Sequence, residues 1–184
     1  MIMRTFTSGF LALVFAVPIL AQQPILSPRD SSSIVLNSKK ISVNYGRPSM
    51  RGRTIMGELV PFNKVWRTGA NEATTFVTEA DLEIEGVRLP KGTYTLYTLP
   101  SEQQWKLIIN KQTGQWGTVH DPGMDFGRVP LKRQDGKNPV EKFTISFRKN
   151  GSNGGVMVLE WENTVLSVAF TVLNSNSNTS KTRM

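Results

Sequence analysis

The 184-residue sequence contains no cysteine and a single histidine, His120. The first absence removes thiol nucleophiles, disulfide exchange, cysteine-ligated zinc and lipid attachment at an N-terminal cysteine. A lone histidine without cysteines also excludes the usual zinc sites. No stretch carries a helical stripe with caps; "GELVPFNKVW" allows one turn at most. Beyond residue 21 no run is long and apolar enough to cross a bilayer, which takes about 20 residues. There is no G-x-S-x-G nucleophile elbow and no basic-aromatic motif of the RNA-binding kind. "DPGMD" is too short and too poor in oxygen ligands for a calcium loop. These absences leave no catalytic residue, metal or cofactor to assign, and they argue against a nucleic-acid partner.

The chain opens with "MIMRTFTSGFLALVFAVPILAQQ", one early cation (Arg4), an apolar run from Phe10 to Leu20 and a small residue at Ala21. This is the grammar of a secretory signal peptide, so residues 1–21 are expected to be a leader cut after Ala21, and the protein secreted or periplasmic. An uncleaved anchor or a buried helix is the alternative. The formal net charge of +8 falls to +7 when Arg4 leaves. Those cations are spread along the chain, which suits a soluble surface or an anionic polymer. Residues 22–173 form one domain, long enough to bury about 70% of its unfolded surface. The polar tail "NSNSNTSKTRM", 174–184, has too little apolar surface to order itself.

Period-2 alternation dominates the rest. "KISVNY" sets Ile41, Val43 and Tyr45 against Lys40, Ser42 and Asn44; "EKFTISFRK" does the same with Phe143, Ile145 and Phe147. "VLSVAFTV" turns Leu166, Val168, Phe170 and Val172 to one side. Such segments are half-buried antiparallel strands. Strands are expected near 33–37, 40–45, 74–79, 81–85, 93–99, 105–110, 141–148, 155–162 and 165–172, with turns that include "EG" at 85–86 and "EN" at 162–163. The fold class is all-β: a single antiparallel β-sandwich of about nine strands with one long irregular arginine-rich connection. "LPKGTYTLY" reads either as a tyrosine corner, typical of sandwiches, or simply as a turn and a strand.

The runs "YGRPSMRGRTIMGELVPFNKVWRTGANEAT", "PKGTYTLYTLP", "WKLIINK" and "QWGTVHDPGMDFGRVP" together resemble the Domain of Unknown Function 2911 family, over positions 27 to 173. The resemblance implies an exported bacterial protein whose activity is unassigned. The sequence departs from the family pattern at Met56, at Phe62–Asn63 and at His120, where relatives tend towards an aromatic, a Tyr-Gly pair and a tyrosine.

Within that run stand Arg47, Arg51, Arg53 and Arg67, punctuated by Gly46, Gly52, Gly69 and Pro48. Guanidinium groups keep their charge and present planar forks, so arginines on a glycine-held loop can clamp a carboxylate, sulfate, phosphate or sugar hydroxyls. Trp66 can stack on a sugar or cover an arginine, and Asn71 and Glu72 can hydrogen-bond the same ligand. Alternatively the arginines pair with Glu58, Glu72, Asp81 or Asp125 and brace the connection. His120 has the right chemistry for a general base, but its neighbour Asp121 points away from it on an extended chain. Glu72, Asp121, Asp125 and Glu160 are the acids from which a glycosidase pair could be drawn. Three readings follow: a non-catalytic envelope module binding an anionic or carbohydrate ligand through Arg47, Arg51, Arg53, Trp66, Arg67, Asn71 and Glu72; an envelope hydrolase of glycan or ester; or a structural protein acting through protein contacts.

Overall fold

The computed structural model describes residues 26–173, so the expected leader and the polar tail lie outside the described residues. Among the described residues ten strands form two antiparallel sheets. The six-stranded sheet runs β1 (Arg29–Leu36), β2 (Lys39–Gly46), β3 (Thr74–Thr78), β6 (Gly92–Leu99), β7 (Lys106–Asn110) and β8 (Asp125–Pro130). The four-stranded sheet runs β5 (Val87–Leu89), β4 (Leu82–Ile84), β10 (Gly154–Val172) and β9 (Lys132–Asn150). Among the described residues no helix is long and apolar enough to cross a membrane.

The sheets face each other as a sandwich, and the alternation read from the sequence sets the inner faces. Ile41, Val43 and Tyr45 of β2 join Leu166, Val168, Phe170 and Val172 of β10 in one core, with Phe143 and Ile145 of β9. Phe147 is half-buried at the margin, edge-on to Phe170 at 6.1 Å between ring centroids. The tyrosine corner is real: the Tyr94 hydroxyl, pushed above its ordinary pKa by burial, donates to the Pro90 carbonyl at 2.9 Å.

Three strand assignments change. β10 runs unbroken through "EN", because Glu162 enters a bulge at positive φ (53°) instead of a hairpin turn. The short β5 completes a hairpin with β4 after the "EG" turn. β8 and the first half of β9 are additions to the expected strands; in β9, 132–140 is almost entirely exposed and shows no period. Pro139 is tolerated there because β9 is the outer strand of its sheet, where a missing donor faces solvent.

Two connections complete the molecule. Residues 47–73 link β2 to β3, and 111–124 fold over the outer face of the larger sheet, where Thr95 donates to the Gln112 carbonyl at 2.7 Å. The first is stitched to the sandwich by Met50 N–H to Glu141 O (2.8 Å) and Phe143 N–H to Pro48 O (2.9 Å). Replacing Ile145, 2% exposed between the sheets, with alanine should cost about 2–5 kcal/mol in denaturant unfolding. A loss below about 0.5 kcal/mol, the scale of a surface change, would contradict the burial of this face.

Candidate functional site

The 47–73 connection runs along β6 beyond the end of β3. Trp66 and Thr98 exchange both backbone hydrogen bonds, at 2.8 and 2.9 Å, and Ala70 N–H reaches Gly46 O at 3.2 Å. Only glycine permits that approach, because a Cβ on Gly46 would lie 2.0 Å from the Ala70 carbonyl oxygen. On its other side the connection grips 115–117 through Ala73 N–H to Gln115 O (3.1 Å) and Gly117 N–H to Asn71 O (2.9 Å). Between these ties Thr68 is fully buried at φ 53°, a left-handed conformation that a β-branched residue adopts only under constraint. Its hydroxyl lies 3.3 Å from Thr98 Oγ1, and its carbonyl accepts from Thr74 Oγ1 at 2.8 Å. This constraint sets the backbone on which Arg67 stands.

The two connections frame a cleft of about 560 Å³. Arg53, Trp66, Arg67 and Asn71 line it, together with Tyr97 and His120; among the described residues no acidic one does. Leu59 and Val65, 41% and 39% exposed, give it an apolar rim. The Arg67 stem lies against Gly117, whose Cβ position is 2.9 Å from Arg67 Cδ, and its Nε donates to the Gly69 carbonyl at 3.1 Å. Among the described residues Arg67 forms no ion pair. Arg53 turns one edge inward, donating to the Met50 and Ser49 carbonyls at 2.9 and 2.7 Å. Trp66 stacks on Trp161 at 5.8 Å and meets Phe143 edge-on at 5.0 Å, so one of its faces is already covered. Asn71, at φ 62°, donates to the Ser27 carbonyl at 3.2 Å.

The remaining sequence candidates lie apart from this cleft. Arg47 braces the fold: it donates to Phe143 O (3.2 Å) and Thr144 Oγ1 (2.9 Å) of β9 and sits 3.4 Å from Asp30 of β1. Arg51 donates to the Leu26 carbonyl at 2.9 Å. Glu72 is exposed and faces Arg29 at 3.7 Å.

This pattern of elements and motifs has a counterpart among known proteins: residues 27–170 match the family model described as "Protein of unknown function (DUF2911)". The chain belongs to that family. No curated protein and no solved structure matches this DUF2911 chain.

His120 and Asp125, which the sequence offers as separate candidates, meet at the margin of this cleft: His120, 13% exposed, places Nε2 2.8 Å from Asp125 Oδ1. Asp121, its sequence neighbour, instead caps the 3₁₀ turn Pro122–Met124 by accepting from Gly123 N–H at 2.8 Å. That turn reverses the chain and brings Asp125 round to the imidazole. Asp125 is then enclosed by donors: Asn110 Nδ2 at 2.8 Å on Oδ1, and Arg128 Nε and Nη2 at 3.0 and 2.7 Å on Oδ2. Burial pushes its carboxyl up, but hydrogen bonds from His120, Asn110 and Arg128 outweigh that and hold it below the ordinary value. The His120 ring lies 4.7 Å from Tyr97, whose buried hydroxyl donates to the Val119 carbonyl at 2.6 Å and accepts from Gln115 at 3.0 Å.

A carboxyl with a depressed folded pKa stabilises only while ionised. The contribution of Asp125 should therefore be complete above its unfolded value, about pH 4, and fade as pH falls through the lower folded value. Compared with Asp125→Asn, the wild type should show a stability advantage at neutral pH that shrinks below about pH 4. An advantage unchanged through that range would contradict the assignment.

Proposed function

We propose that the protein is an envelope binding module that holds a small organic anion in the cleft between the two connections. The observation that carries this reading is Arg67. Its stem rests on Gly117 and it lines the cleft, and among the described residues it has no ion-pair partner and no acidic side chain lines the same space. A guanidinium in a low-dielectric concavity without a counter-ion attracts a carboxylate or phosphate, and its planar fork can bind one bidentately. Arg53 at the same cleft adds a second positive charge. The volume falls in the range of about 300–1,000 Å³ typical of small-molecule sites. Delivery to the envelope rests on the leader-like first 21 residues.

Glycan hydrolysis by an acid pair fits this cleft less well, because such a reaction needs two carboxyl groups flanking the substrate. Asp125, the acid that meets the lining residue His120, is occupied by it, Asn110 and Arg128.

Two substitutions separate the clamp from the brace. Arg67→Lys keeps the charge but loses the fork, so the variant should unfold at near-normal denaturant concentration yet bind benzoate or glucuronate about tenfold more weakly by calorimetry. Arg47→Lys should leave that affinity unchanged and cost about 1–3 kcal/mol of stability through its lost bonds to β9. The binding reading is overturned if neither acid binds the wild type, or if Arg67→Lys binds both as well as the wild type does.

A further inference from the structure

Two features of the cleft are not explained by positive charge alone: its apolar rim and the orientation of His120. Leu59 and Val65 are exposed large side chains beside the half-buried Trp66, on the same cleft as Arg67. A sugar acid would leave this rim in water, whereas an acid with a hydrocarbon body would cover it and take that apolar surface out of water.

The histidine specifies a second group. Asp125 Oδ2 is taken by the Arg128 fork, and Oδ1 accepts from Asn110 and faces His120 Nε2 at 2.8 Å. A carboxylate so enclosed can only accept, so in the neutral ring the proton sits on Nε2 and Nδ1 carries the lone pair. Nδ1 has no hydrogen-bond partner among the described residues, and the side chain lines the cleft. A lone pair there does not hold a carboxylate; it calls for a donor such as a hydroxyl. Arg67 and His120 are linked structurally, because the Arg67 stem rests on Gly117, three residues before His120 on the same connection.

We propose that the ligand is a hydroxy acid with an apolar body, its carboxylate on Arg67, its hydroxyl donating to His120 Nδ1 and its hydrocarbon along Leu59, Val65 and Trp66. This rests on the anion-binding reading and narrows its ligand class. The partner chemistry is an amphiphilic hydroxycarboxylic acid, such as a hydroxylated fatty acid, and not a sugar acid or an inorganic anion.

The test is calorimetry on the purified protein at pH 8 with four probes: 3-hydroxydecanoate, decanoate, glucuronate and sulfate, all below micelle-forming concentrations. The hydroxy acid should bind at least tenfold tighter than glucuronate or sulfate. It should also bind about threefold to tenfold tighter than decanoate, the increment of one hydrogen bond. In His120→Phe, which keeps a ring against Tyr97, the two decanoic acids should bind equally. The comparison among probes on the wild type decides the proposal even if that variant fails to fold. Binding of glucuronate or sulfate as tight as the hydroxy acid, or no gain from the hydroxyl, overturns this inference and leaves anion binding standing. Failure of all four to bind removes both.

Discussion

Two backbone hydrogen bonds between Trp66 and Thr98 fix the segment that carries Arg67. They continue the pairing of β6 past the end of β3, so this part of the connection is held within the larger sheet, between β6 and the end of β2. There Gly46 admits the Ala70 backbone and Thr68 is held at positive φ. Arg67 adjoins Thr68 on this backbone, with its stem against Gly117 and its Nε on the Gly69 carbonyl. Backbone pairing here converts sheet stability into the placement of one charge, and the cost is a strained threonine of the order of 1–3 kcal/mol.

The arginines divide into two physical roles. Arg47 spends its donors on β9 and β1 and ties the sheets together at the start of the connection. Arg67 spends one donor on its own turn, lines the cleft and makes no further side-chain hydrogen bond among the described residues. Both have the same side chain, and burial is intermediate for both. What differs is the company: a carboxylate, a carbonyl and a hydroxyl around Arg47, against tryptophan, tyrosine, glycine and histidine around the cleft of Arg67. On the proposed reading the second setting takes its anion from outside, because among the described residues no acid lines it.

Much of the fold was legible because burial on one face leaves a period of two. Ile41, Val43 and Tyr45 announce β2, and the glycine before Tyr94 announces the corner that the hydroxyl closes on Pro90. Lys132 to Val140 escaped because an outer strand exposed on both sides need not alternate. Glu162 misled because a bulge and a turn use the same positive φ. At the site, glycines flagged the segments holding Arg67 and Asn71, but the partners of each arginine lie far off in sequence, as Asp30 does for Arg47. His120 and Asp125 are only five residues apart, yet their meeting depends on Asp121 capping a 3₁₀ turn, which has no periodic signature.

The claim on which the rest turns is that Arg67 faces an anion within the cleft. Anomalous diffraction from crystals soaked in 4-iodobenzoate addresses it directly, since the iodine marks the apolar body and the carboxylate marks the charge. The carboxylate should lie within hydrogen-bond reach of the Arg67 guanidinium, about 2.7–2.9 Å, with the iodine peak towards Leu59 and Val65. Iodine confined to other surfaces, with Arg67 turned onto a protein carboxylate, would contradict it.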